Sequence, residues 1–493
     1  MADFDVIVVG AGNAALAASV SASEHGARVL VLEKAPLEMR GGNTHWSGGV
    51  FRFAFDEARD LDPLLPGIED TYPRFYEGVT PYTYDDFKGD LGRLTGGQTD
   101  SELSEILVTN SLDTVKWVRD SGGVPMEPAI GLSGVEKDGV IQFQRGMVVR
   151  SAHEGVGLSK SWFATVEKMG VEVRYESAAT ELLQDSRGRI AGVRVRGPNG
   201  VEDISAKAVV LGAGGFEANT HMRAQYLGSP WDQAKVRGTP HNQGDGLRMA
   251  LDAGAMAWGQ WSGCHSTPIS ADWGHFAPRE LTDKSNRLSY LYGVLINRLG
   301  RRFLDEGLDM QLFTYAKYGR IILNEPGGMA FQIFDQKTVH LLEPRYSTSE
   351  PVVADTLGDL VDKLDIDDRE QAVRTLEEFN AAAQTPENFD PSQKDGVSTS
   401  GLDIEKTNWG LKLDAPPFHA YSVTGGITFT FGGLKIDAQA RVIGTDWRPL
   451  PGLYTCGEMV GGLFHDNYAA GSGLMSGAVF GRIAGRSAAQ FEG

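Results

Sequence analysis

Two cysteines, Cys264 and Cys456, are all that the 493 residues contain. So few exclude a disulfide framework, neither lies in a metal-ligand spacing, and a reducing compartment with no bound metal is expected. Basic residues are also scarce. Lys and Arg number 46 against 65 Asp and Glu, a net charge of -19, and such a field repels nucleic acid and anionic membrane surfaces. No apolar run approaches the ~18 residues of a membrane span. The opening "MADFDVIVVG" carries acids where a secretory leader needs basic residues, so a cytoplasmic location is expected. Internal repeats and long low-complexity tracts are missing too. A substrate that is itself an anion must therefore be drawn in by local Arg, Lys, His and helix termini acting against the global field.

Glycine, by contrast, is abundant. There are 62, well above the ~7% norm, which implies many turns or close backbone approaches. The densest information lies in "DVIVVGAGNAALAASVSASEHGARVLVLEK". Asp5 to Val9 reads as a buried strand, Ala14 to Glu24 as a helix of small residues, and Val29 to Leu32 as a second buried strand closing on Glu33 and Lys34. Gly10, Gly12 and Ala15 form GxGxxA at the strand-to-helix turn. In a dinucleotide fold the first of these permits the tight turn, the second lets the backbone reach a pyrophosphate, and the third lets the helix pack close. Helix N-terminal amides, here around Asn13 and Ala14, then meet the negative charge. Glu33, 23 residues after Gly10, would accept hydrogen bonds from a ribose diol.

"GGNTHWSGG" (Gly41 to Gly49) follows the second strand, and two more segments join strands to glycines: "AKAVVLGAGGFEAN" (Ala206 to Asn219) and "LPGLYTCGEMVGG" (Leu450 to Gly462). In this order they resemble two-dinucleotide-binding-domain flavoproteins, in which both chain ends wrap one FAD. More narrowly, "GDGLRMALDAGA", "GRRFLDE", "GGLKID" and "GSGLMSGAVFGRIAG" resemble the fumarate reductase and succinate dehydrogenase flavoprotein superfamily. "GGNTHWSGGVFRFAFD", "WSGCH", "TYAKYGR" and "GITFTFGGLKID" look most like its FAD-dependent tricarballylate dehydrogenases.

The resemblance implies an α/β architecture, a Rossmann-like FAD-binding domain with an inserted α+β capping domain. Residues 1–255 and 426–493 would form the FAD domain and residues 256–425 the substrate cap. Local patterns agree with a scaffold of helices and hairpins. "ELSEILVTNSLDTVKWVRDSGG" has helical spacing, "IAGVRVRGPNGVEDI" alternates around a turn at Pro198 to Gly200, and "DDREQAVRTLEEFNAAAQ" is a charged amphipathic helix. "TPENFDPSQKDGVSTSG" reads as a solvated surface connector.

The same resemblance places the cofactor. The turn at Gly471 and Gly473 leads into a helix at about Ser472, whose amides at Ser472, Leu474 and Met475 would stabilise negative charge on the reduced flavin. Glu458 after Gly457 would bond a ribitol or ribose hydroxyl. Asn43 and Thr44 would approach the pyrophosphate or ring, among Gly41, Gly42, Gly48 and Gly49. Ala179, Ala213, Gly214 and Gly215 complete the cradle. His45 raises the question of a covalent flavin, since relatives such as succinate dehydrogenase use a histidine, but its offset from the following glycines differs and non-covalent FAD is expected.

At the substrate site the chain departs from fumarate reductases. Met310 stands where they carry a proton-delivering arginine, Thr428 and Phe429 replace paired histidines, and Tyr468 replaces a second arginine. His265 is the expected substrate contact that remains. On the helix of "DMQLFTYAKYGRIIL", Tyr315 and Tyr318 share one face, with Lys317 and Arg320 on another. Arg52 is a further anion anchor. Tyr468 before Gly471 also resembles the last motif of 3-ketosteroid dehydrogenases, in which a tyrosine polarises the ketone.

These features fit oxidation of a CH–CH bond next to a carboxylate or ketone, with α-proton removal and hydride transfer to flavin N5. Two alternatives remain open: an ene reductase of the opposite direction, and an electron-relay subunit of a complex. The electron acceptor is an unknown partner, either a separate electron-transfer protein, a quinone or oxygen, because haem and iron-sulfur motifs are lacking.

Overall fold

A computed structural model describes residues 2–383 and 389–492. Phe4–Val9 and Val29–Leu32 are strands that pair in parallel, Val6 beside Val29 and Val9 beside Leu32. Both faces are covered, one by the helices Asn13–Glu24 and Ser472–Ala489 and the other largely by the strands Ala178–Gln184 and Ile190–Gly197, so these strands are continuous apolar runs without alternation. Across the sheet the order is Arg441–Ile443, Pro449–Thr455, Gly200–Leu211, Phe4–Val9, Val29–Leu32 and Glu172–Arg174. Val9 lies beside Leu211 and Leu211 beside Thr455 in parallel register. The three strands followed by glycine-rich turns therefore end at one edge, the place where open α/β sheets bind ligands.

The turn that begins this edge has no room for a side chain. Gly10 has φ of +102°, and a Cβ there would lie 2.4 Å from the Gly212 carbonyl oxygen. Behind it the helix Asn13–Glu24 runs against the C-terminal helix Ser472–Ala489. Gly477, Gly481 and Gly485 recur every fourth residue and so share one face. A Cβ on Gly481 would sit 2.5 Å from the Ala14 carbonyl oxygen, and one on Gly485 2.1 Å from that of Ala18. Asn13 Nδ2 donates to the Leu474 carbonyl (2.9 Å) and Ser21 Oγ to that of Arg482 (2.7 Å). The two ends of the sequence are thus locked at backbone contact.

A second sheet is organised by the strand Phe418–Thr430. It pairs antiparallel with Cys264–Ser270, Met329–Phe334 and Val352–Ala354, and parallel with Lys235–Val236. This strand passes through residues 425 and 426, so the backbone runs unbroken between the two expected domains. The helix Gln311–Leu323 lies on it and is buried nearly all round, including Tyr315 and Tyr318.

The remaining periodic segments form as helices Ser101–Asp120 and Arg369–Ala382, and Ile190–Gly197 pairs with Gly200–Leu211 as a hairpin. The stretch 385–401 differs from a solvated connector. Residues 385–388 lie outside the described residues; further on, Trp409 Nε1 donates to the Asp390 carbonyl (2.8 Å), Asp395 accepts from the Val397 and Trp409 amides, and Val397 and Thr399 are buried. Aspartates serving local backbone amides dock this segment without regular structure. Among the described residues no helix is long and apolar enough to cross a membrane.

Gly485→Val tests the helix seam. Its methyls collide with the Ala18 carbonyl, so the variant should lose roughly 1–3 kcal/mol of stability; calorimetry that shows an unchanged Tm removes the close packing from the account.

Candidate active site

One cavity follows the glycine-rich edge and continues under the second sheet. At one end stand Glu33 and Lys34, then Gly10, Gly12, Asn13 and Ala14, with Gly42, Asn43, Thr44, Gly48, Gly49, Ala179, Ala213 and Gly214 along its length. Gly457, Glu458, Gly471, Gly473 and Leu474 line its middle. A Cβ built on Gly12 would meet only Thr44 Oγ1 (3.5 Å) and the Gly41 carbonyl oxygen (3.9 Å), so it would occupy the cavity itself. Glu33 is buried at the far end beside the amides of Ala35 (2.8 Å), Ala11 and Lys34, and burial raises its pKa. Thr44 Oγ1 accepts from the Asn13 amide (2.8 Å), the first of the helix. An elongated cleft with a bare backbone turn, a helix N-terminus and a terminal buried acid has the donor and acceptor set of a dinucleotide.

Five residues expected in the cradle stand behind it. Ala15 packs under the Gly212 backbone, Gly41 turns against Ser159, and Gly215 backs onto Glu458 and Thr430. Ser472 bonds the Ala469 carbonyl and Met475 is fully buried in the core. His45 is also off the wall, its Nε2 3.3 Å from the Arg279 carbonyl oxygen.

Midway along the cleft stands Glu458, with a second buried carboxyl, Glu217, behind the wall. Glu217 accepts from Asn43 and, at 2.6 Å, from Asn242, while Glu458 accepts from the Thr430 amide (2.7 Å) and hydroxyl (3.1 Å). Glu217 Oε2 has no partner among the described residues, and the charge of Glu217 acts on Glu458. Burial pushes Glu217 up to about 7, and burial together with the charge of Glu217 raises Glu458 further. Both carboxyls are thus driven towards the protonated form.

Beyond them the cavity opens into a chamber of aromatics and arginines. The His265 ring stands nearly perpendicular to Tyr315 and Tyr468, with centroids 4.8 and 4.9 Å away. Burial and then the nearby Arg237 push its pKa down to about 3, so it is neutral, and its buried Nδ1 has no partner. Tyr468 accepts a hydrogen bond from the Gly473 amide at 2.8 Å, which leaves its own proton free to be donated. Burial raises both phenols; Tyr468 is held back by the Gly473 amide, Arg52 and Arg237.

Opposite, Arg237 donates to Thr428 Oγ1 (2.9 Å), the Trp46 carbonyl (2.6 Å) and Asp283 (3.0 Å). Asp283 is shared with Arg345 and with Asn286 (2.7 Å). All four line the chamber, and none was signalled by a motif. Arg237 lies in "KVRGTPHNQGDGL" and Asp283 in "LTDKSNR", and only the fold joins segments so far apart.

The other expected catalytic residues are elsewhere. Tyr318 bonds the Asp305 carbonyl inside the core, and Lys317 lies over the Tyr318 ring. Arg320 pairs with Asp466 at 3.0 Å near the surface, and Arg52 is fully buried behind the Gly471 turn. On a helix buried nearly all round, only Leu312 and Tyr315 face the chamber, so spacing alone could not select them.

Residues 5–474 match the FAD binding domain family, and the chain belongs to that family, with FAD as its cofactor. It is 27% identical over 98% of its length to NADH:acrylate oxidoreductase of Vibrio harveyi, of which it spans 50%. It is 28% identical over 99% of its length to the fumarate reductase (cytochrome) of Shewanella frigidimarina, covering 77% of that protein. In fold it is similar to the 3-ketosteroid delta1-dehydrogenase from Sterolibacterium denitrificans, with a TM-score of 0.75, 20% identity and 99% of both chains covered.

The acid pair makes stability depend on pH. A Glu217 pKa raised from 4.5 to about 7 means that the unfolded chain releases this proton first, so native stability falls as pH rises between those values. Glu217→Gln should flatten that decline, by on the order of 5 °C in Tm across the interval; thermal melts against pH with the slope of the parent protein contradict the raised pKa.

Proposed function

We propose that the chain is an FAD-dependent dehydrogenase that desaturates a CH–CH bond next to a carboxylate or ketone in a small substrate, of the tricarballylate kind. The observation that carries this reading is the Tyr468 hydroxyl, anchored by the Gly473 amide at 2.8 Å and facing the same chamber as Arg237 and His265. Bound FAD supplies the two-electron acceptor for the β-hydrogen. Arg237 holds the substrate's carboxylate or carbonyl oxygen at the polar end, with its own geometry fixed by Asp283 and Thr428. His265, neutral and with an unpartnered Nδ1, orients that group.

Tyr468, protonated because burial raises its pKa, donates its hydroxyl hydrogen bond to the substrate oxygen on which negative charge develops as the α-proton leaves. Burial raises both phenols of the chamber, each with two arginines nearby, but only Tyr468 has a backbone amide on its oxygen, whereas Tyr315 is raised well above the ordinary phenol value. Tyr315 therefore shapes the chamber and excludes water. Residues 256–425 act as the cap over this space, and the oxidising partner is a separate electron-transfer protein, a quinone or oxygen. A second reading, an ene reductase of the opposite direction, is favoured by the printed activities of the acrylate and fumarate relatives. Against the usual fumarate chemistry stands Met310, buried where a proton-delivering arginine would be needed.

Anaerobic mixing with saturated carboxylates and cyclic ketones tests the direction: bleaching of the flavin band is expected, and reoxidation of the reduced protein by unsaturated acids alone establishes the reductase. Tyr468→Phe should bind FAD normally and slow flavin reduction about 10²-fold, and stopped-flow absorbance at the parent rate removes the hydroxyl from the reaction. Arg237→Met should raise KM for carboxylates at least ~10-fold with a smaller change in kcat, measured by steady-state kinetics.

A further inference from the structure

Arg52 is fully buried, yet no carboxylate stands within ion-pair distance of it among the described residues. Its Nε donates to the Ala470 carbonyl at 2.7 Å, its Nη1 to the Arg145 carbonyl at 3.1 Å, and its Nη2 has no partner. The guanidinium lies 4.9 Å from the Phe313 ring centroid and 5.2 Å from that of Tyr82. Its backbone amide donates to the Gly471 carbonyl at 3.2 Å. Two of the three carbonyls of the turn between Tyr468 and the C-terminal helix, those of Ala470 and Gly471, are therefore gripped by one residue. On the other side of that turn, Gly471, Gly473 and Leu474 face the cavity.

A buried cation without a counter-charge is costly, since neutralising an arginine is not available as a remedy. Carbonyl dipoles and ring faces offset only part of the cost. In a low-dielectric interior such a charge acts over a longer range than at the surface, and it adds to the positive N-terminus of an 18-residue helix that begins at the same turn.

We infer that Arg52 is a positioning residue whose permanent buried charge, set behind the Ala470–Gly471 turn, stabilises the negative charge that two-electron reduction places on FAD and so raises the cofactor's electron affinity. This rests on FAD lying in the cavity and is independent of the direction of catalysis.

The test uses the FAD-loaded protein, with FAD content measured for each variant. Sulfite titration of the oxidised flavin reports the same charge stabilisation, because the adduct leaves negative charge on the ring. Arg52→Met should weaken sulfite binding about tenfold or more and lower the two-electron midpoint potential in step, ~30 mV per tenfold. Arg52→Lys should stay within about threefold of the parent. Where the Met variant fails to fold, Arg52→Gln, which retains a donor for the Ala470 carbonyl but no charge, is read in the same way. Parent-like sulfite affinity and potential in a charge-free variant that retains FAD overturn the proposal and leave Arg52 as a mechanical clamp. Failure of the parent protein to hold FAD at all instead overturns the cavity assignment.

Discussion

Three parallel strand ends meet with almost no side chain between them, and the rest of the molecule depends on that contact. Gly10 reaches the Gly212 carbonyl because it has no Cβ, and Val9, Leu211 and Thr455 then end in register. The C-terminal helix can lie against the N-terminal one only because its glycines recur at every fourth position. Residues more than 450 positions apart, such as Asn13 and Leu474, thereby share one wall. The same closeness that binds the chain ends together leaves bare backbone facing the cleft, so packing and cofactor recognition have one cause.

The chamber answers a problem set by the charge of the whole chain. A net charge of -19 opposes the approach of an anion, and the interior reverses this locally. Arg237 and Arg345 converge on Asp283, Arg345 also pairs with Glu343 (3.0 Å), whose pKa burial raises, Arg52 stands without a carboxylate partner among the described residues, and burial pushes Glu217 and Glu458 towards the protonated form. Buried arginines remain charged while buried acids are pushed towards neutrality, so burial itself shifts the local balance to positive.

The chamber divides its lining between apolar and polar groups. Leu312 and Phe429 belong to its apolar lining, while the polar contacts come from Arg237, Thr428 and the Tyr468 hydroxyl. Arg52, which reads as an anion anchor from its place after the glycines, lies outside the cavity and grips the turn from behind. A side chain pointing away from the cleft cannot bind substrate, but its charge is felt across a turn of a few residues.

The sequence by itself determined the cofactor fold, because that fold is written in local rules. A tight turn needs glycine, a strand buried on both faces needs an apolar run, and a close helix contact needs small residues at a regular spacing; each constraint falls within about thirty residues, as from Asp5 to Glu33. His265, Tyr315 and Tyr468 were legible as chemistry, and the structure brings their rings together. Tyr318, Lys317 and Arg320 looked equally eligible, since helical spacing shows which residues share a face but not what that face meets. Only the tertiary structure decided that Leu312 and Tyr315 look into the chamber, that Arg237, Asp283 and Arg345 join from three distant segments, and that Glu217 is buried and its pKa raised. Those are long-range juxtapositions and desolvation effects, and neither leaves a spacing in the chain that could be read before it folds.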